Sequence, residues 1–166
     1  MSLSALKKAF YERAAGVEVL SGDALAAQDA LAVLLAEDTE TSLPAVHQGN
    51  KSVIVAYPAL CFRESGGAPD TRWSADVGGI REVIFDVEIW SDSAAGNVIS
   101  NIHDLVDKLF NTRRSLNSHG VRAPLPTLDS GRLKDMTALT DLSTLYDRDT
   151  NAWYGFCRYR FILAHY

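Results

Sequence analysis

Apolar positions recur along the chain with two different periods, and the alternation between them predicts its elements. Leu3, Leu6 and Phe10 stand at helical spacing with Lys7, Lys8, Glu12 and Arg13 between them, so residues 3–14 read as a short amphipathic helix ending near Gly16. Asp23 is placed to cap a second helix from Ala24 to Ala36, rich in Ala and Leu, with Leu31, Leu34 and Leu35 on its apolar face. Together these make an N-terminal helical region over 3–36. The run Glu37-Asp38-Thr39-Glu40-Thr41 reads as a polar connector, and Pro44 disfavours a helical conformation at Leu43. The period then shortens. Val53-Ile54-Val55-Ala56-Tyr57 and Leu60-Cys61-Phe62 are β-branched and aromatic, which predicts one or two strands, with Pro58 marking an edge, a bulge or a break. From Arg63 to Gly79 the chain holds Gly66-Gly67, Pro69 and Gly78-Gly79 and reads as one long loop, a length more often tied to function than to filler.

The clearest alternation runs through Glu82-Val83-Ile84-Phe85-Asp86-Val87-Glu88-Ile89-Trp90. It puts Val83, Phe85, Val87 and Ile89 on one face and Glu82, Asp86 and Glu88 on the other. Asp92 or Ser93 is placed to cap the next helix, whose apolar positions are Val98, Ile102, Leu105, Val106, Leu109 and Phe110. Its other face carries Ser100, Asn101, His103, Asp104, Asp107 and Lys108, which a solvated surface accounts for. Residues 113–131 read as a connection. A weaker alternating stretch from Met136 to Tyr146 meets the turn-rich Asp147-Arg148-Asp149-Thr150-Asn151, and a hairpin follows into the last strand. There Cys157, Tyr159, Phe161 and Leu163 share one face, with Phe156, Arg158 and Arg160 on the other. Arg158 and Arg160 are therefore expected across from Asp86 and Glu88 as cross-strand charge pairs, each worth about 0.2–1 kcal/mol. The fold class is α+β: a mixed or antiparallel sheet packed against helices in a single domain, with a strand, helix and hairpin core over 80–164.

Composition narrows the function. The 166 residues suit one domain, and 47% hydrophobic with 22% charged residues is ordinary for a globular chain. No apolar run approaches the ~20 residues of a membrane span, and the first residues lack signal-peptide order, so synthesis in a cytoplasm is expected. A net charge of −5 disfavours tight nucleic-acid binding. Cys61 and Cys157 read as buried, reduced thiols, and no spacing joins them to His47, His103, His119 or His165 as metal ligands, so no metal is expected.

No catalytic constellation is legible. The glycine pairs form neither a dinucleotide nor a Walker motif, and His103 and Asp104 lie about 100° apart on their helix. His47 and His119 fall in loops without a legible partner. Glu82, Asp86 and Glu88 are more simply an arginine-paired or solvated face than a carboxylate site. The candidates that remain are for protein contact. Trp73, in Asp70-Thr71-Arg72-Trp73-Ser74, either anchors a partner, with Asp70 and Arg72 beside it, or folds back over the sheet. Arg113 and Arg114 belong to such a surface or serve as cations at a helix C-terminus.

The order of these elements resembles the tail-terminator, or tail-completion, proteins of long-tailed bacteriophages. The matching pieces are Ile80 to Trp90, the helix through Phe110, and Tyr146-Asp147-Arg148-Asp149-Thr150 leading to Phe161. The resemblance implies a structural virion protein of the tail and neck, assembled in the host cytoplasm and closing into a ring, usually a hexamer. Such a ring caps the head-proximal end of the tail tube and joins it to the head connector. Its implied partners are further copies of itself, the major tail-tube protein and the connector or stopper. DNA only passes through its lumen, and it has no enzymatic activity, cofactor or membrane. An N-terminal region with two helices and the 63–79 loop depart from the family pattern. Two other readings stand beside it: a neck stopper or head-completion protein, of the same structural class, and, of a different class, a small α+β binding module that dimerises through a sheet edge.

Overall fold

The computed structural model describes residues 3–49, 56–67, 80–93, 97–112, 124–128 and 132–164. In chain order the elements are α1 (Leu3–Ala14), α2 (Gly22–Leu34), β1 (Val46–Gln48), β2 (Ala59–Gly66), β3 (Ile80–Ser91), α3 (Asn97–Phe110), β4 (Arg132–Ala138), β5 (Ser143–Asp147) and β6 (Ala152–Ala164). The strands form one six-stranded mixed sheet in the order β1-β2-β3-β6-β4, with β5 also paired to β6. β1 runs parallel to β2, and the other pairings are antiparallel. All three helices bury side chains in one core with Leu60, Phe62, Val83, Phe85, Val87, Ile89, Cys157, Tyr159, Phe161 and Leu163. Those strand residues alternate along their strands, so they define a single covered face, and the fold is an α+β layer of helices on a sheet.

Local sequence explains the helix ends. α1 stops because Gly16 takes φ +78°, and Val17 and Gly16 donate their N–H groups to the carbonyls of Glu12 and Arg13, which satisfies orphan carbonyls of the last turn. At the start of α2 the N-cap position belongs to Ser21, not Asp23, and no side chain caps it; Asp23 lies within the first turn, where its charge complements the helix dipole. This helix ends at Leu34, short of Ala36. The expected polar connector is a tight backbone hairpin, in which Ala45 donates to Ala36, Asp38 to Leu43 and Ser42 to Asp38. The Asp38 carboxylate accepts the Glu40 and Thr41 N–H groups at 2.8 and 3.3 Å.

Three stretches of the sheet depart from expectation. The three-residue β1, too short to show a period, was not anticipated. The Val53 to Tyr57 strand falls mainly outside the described residues. Beyond it, β2 extends through Arg63 and Glu64 to Gly66, because both residues pair with β3, at Asp86 and Phe85. The strand therefore ends at Gly66, and the next residue, Gly67, has φ +145° and a position where a Cβ would lie 2.2 Å from the Glu82 carbonyl oxygen. Finally, the stretch from Met136 to Tyr146 is two strands. β4 lines the C-terminal half of β6 and β5 its N-terminal half. In the break between them the Thr140 hydroxyl accepts the Arg158 N–H at 3.0 Å.

Phe10 is the hub of the core. Its ring stacks on Phe110 at 4.1 Å and lies 4.5–6.1 Å from Phe62, Phe85 and Phe161, joining α1, α3, β2, β3 and β6. Gly155 lets α3 approach β6, since a Cβ there would meet Ile99 Cγ2 at 2.5 Å and Leu142 Cδ1 at 2.7 Å. Asp107, expected on a solvated helix face, is buried and accepts the Tyr159 hydroxyl at 3.4 Å and the Asn111 amide at 3.1 Å.

Candidate functional site

The face of the sheet opposite the core carries the charges singled out in the sequence. Asp86 is opposite Arg158 in the β3–β6 register, and Arg158 Nε donates to its carboxylate at 2.7 Å. This hydrogen bond and the carboxylate charge push the Arg158 pKa further up. On its other side Asp86 has Arg63 of β2, with Nε at 3.9 Å. The other expected pair does not form. Antiparallel strands run in opposite directions, so stepping from Asp86 to Glu88 steps from Arg158 back to Phe156, and Arg160 falls opposite Ile84. Glu88 instead takes Arg63 at 3.5 Å and the Trp90 indole N–H at 3.1 Å. Arg160 reaches Asp135 of β4 at 4.0 Å, while its buried Nε has no hydrogen-bond partner among the described residues. Above the charges, Trp90 stacks on Tyr154 at 4.7 Å, and the Arg158 guanidinium lies 5.4 Å from the Phe156 ring centre. These carboxylates are already engaged by cations and donors, so the arrangement ties four strands together.

A buried cation, expected among the polar positions of α1, lies at the end of that helix. Arg13 is fully buried and makes a two-pronged ion pair with Glu18, at 2.6 and 2.8 Å. Its Nη1 donates to the carbonyls of Leu109, at 3.2 Å, and Pro124. The signal was present: Arg13 continues the Leu3, Leu6, Phe10 stripe by one more step of three. His47 was expected in a loop without a partner, but it lies in β1 with Nδ1 3.9 Å from the Asp38 carboxylate.

The thiols stand on opposite faces of the sheet: Cys157 in the main core and Cys61 beneath Trp90 and Ala152. Burial raises both to about 12, helped for Cys61 by the Glu88 charge; for Cys157 the Asp107 and Asp86 charges add to it and a hydrogen bond with Tyr159 opposes it. Among the described residues no three His, Cys, Asp or Glu side chains are grouped to hold a metal ion, and no helix is long and apolar enough to cross a membrane.

The contact candidates Asp70, Arg72, Trp73, Arg113 and Arg114 lie outside the described residues. Other exposed features do lie within them. At the β5–β6 hairpin, Tyr146 and Trp153 pack together at 5.0 Å while remaining 43% and 37% exposed, and Leu145 is 52% exposed. On α2, Leu25 and Val33 face outward. An open groove of about 570 Å³ between α1 and β1 is lined by Leu3, Ser4, Lys7, Lys8, Tyr11 and Gln48.

No protein-family model and no curated protein matches the chain. Among solved structures, a chain described as "Virion of native gene transfer agent (GTA) particle" superposes with a TM-score of 0.61 at 14% identity, covering 97% of this chain and 96% of that one. A second solved chain, whose name states no function, superposes with a TM-score of 0.50 at 15% identity, covering 100% and 97%. At these identities the likeness establishes a shared fold.

Proposed function

We propose that this chain is a structural virion protein, and specifically a tail terminator: a subunit that closes into a ring on the head-proximal end of a tail tube and joins it to the head connector. The observation that carries the reading is the end-to-end correspondence of its fold with a chain of a gene transfer agent virion particle, 97% of one chain against 96% of the other. The strand, helix and hairpin order that resembles tail terminators is the order of β3, α3, β5 and β6 in the folded chain, which supports the same reading. In it the sheet and helices are a rigid body, further copies of the chain, the tube protein and the connector are its partners, and no catalytic step or cofactor is assigned.

Particles made without the protein test the role. A terminator is expected to leave overlong or unjoined tails in negative-stain images. Normal-length free tails beside leaking heads would assign it to the neck as a stopper, and a stable dimer with no tendency to form rings would remove it from either position.

A further inference from the structure

Resting on the virion reading, we propose that the open face of α2 is covered in the particle by an apolar segment of a different subunit that carries lysine or arginine. Among the 13 residues of α2 only Asp23, Gln28 and Asp29 have polar side chains, so the helix is apolar around most of its circumference. Such a helix is ordinarily enclosed on all sides. Here one side is enclosed: Ala24, Ala27, Gln28 and Leu31 are buried, and the Gln28 amide donates to the Arg13 carbonyl at 2.9 Å. The other side is open. Leu25, Asp29 and Val33 step by four with Ala26 and Ala30 beside them, and all five are exposed, Val33 to 83%.

Charge selects the occupant. From Ala14 to Asn50 the chain has no Lys or Arg, while Glu18, Asp23, Asp29, Glu37, Asp38 and Glu40 place six carboxylates there, against a net charge of −5 for the whole chain. Glu18 is engaged by Arg13, and Asp38 by its own hairpin. Asp29, in the middle of the stripe, and Glu37 and Glu40, past the helix end, are exposed and make no ion pair among the described residues. A second α2 laid on the first would bring like charges together, and that repulsion disfavours a further copy joined through the same face. The complementary surface is apolar against Leu25 and Val33, with a cation toward Asp29. Lysine and arginine suit both demands, since their stems cover apolar surface while the head reaches a carboxylate. The short side chains of Ala26 and Ala30 let such a segment come close.

A photo-reactive amino acid placed at Val33, and separately at Ala26, tests the contact in purified particles. The expected product is a link to a different subunit, with lysine or arginine within about four residues of the linked position. Asp29→Lys is expected to lower the yield of that link about two- to tenfold with an unchanged thermal melt, and reversing the partner's cation to Glu to restore it. Folded variants shut out of particles at both positions would likewise mark the face as covered, and the Asp29→Lys effect is then read as incorporation. A link to this chain itself, a linked segment without a cation, or an unaltered yield for Asp29→Lys would each overturn the proposal. So would particles that hold the protein with both positions unlinked. Each of these leaves the virion reading standing. Purified particles that lack the unmodified protein would overturn both.

Discussion

Arg13 is accommodated in the interior because its guanidinium is met on two sides, by the Glu18 carboxylate through two prongs and by the carbonyls of Leu109 and Pro124. Removing one side of a buried ion pair commonly costs about 3–5 kcal/mol. Arg13→Ala is expected to lower stability by that amount in urea unfolding, and Arg13→Met by less, since its stem still fills the space. The two thiols predict a pH dependence of definite sign. Their folded pKa, about 12, lies above the ordinary 9, so the folded state holds protons that the unfolded state releases. Their contribution to stability is complete below pH 9 and is lost as pH rises toward 12. The urea midpoint should fall across that window, more steeply than in a Cys61→Ala/Cys157→Ala variant. In the same state neither thiol is expected to take up iodoacetamide at pH 8 until the chain is unfolded, a difference read by intact mass.

Elements with a long, clean period were legible in the sequence, and those shaped by their neighbours were not. α1, α3, β3 and β6 carry their apolar stripes over 12 to 14 residues, long enough to fix type and face. β1 has three residues and exists because β2 lies alongside it. The extension of β2 through Arg63 and Glu64 shows no apolar alternation, and the register across β3 decides it. The same holds for the charged face. Strand alternation placed Asp86 and Arg158 on one side, but Glu88 found Arg63 because a residue read as loop is strand. Asp107 was read as solvated because a tertiary hydroxyl, from Tyr159, is invisible in local spacing. Gly155 belongs to this scale too, since it sets how closely α3 lies on β6. A methyl group there meets Ile99 and Leu142 side chains, so Gly155→Ala is expected to cost about 1–3 kcal/mol, with a smaller loss when Leu142 is shortened to Ala in the same chain. Thermal melts of the single and double variants measure that coupling.

The main core is continuous among the described residues, and the N-terminal helix is part of it, not an appendage. Phe10 brings a single side chain against the rings of Phe62, Phe85, Phe110 and Phe161, so α1 touches the sheet and α3 at their centre. Arg13, one turn further on, fixes the C-terminal end of the same helix to the C-terminus of α3 and to Pro124. With its C-terminal half held in this way, α1 cannot leave without exposing the middle of the core, and unfolding should be all-or-none. Phe10→Ala removes the hub and is expected to cost about 3–5 kcal/mol. Helix content by circular dichroism and tryptophan emission, to which buried Trp90 of the opposite face contributes, should shift to a lower urea midpoint together. An early loss of helix signal with the tryptophan signal retained would instead make α1 a separately folding layer. Coincident transitions would mean that the helical layer and the sheet unfold as one unit.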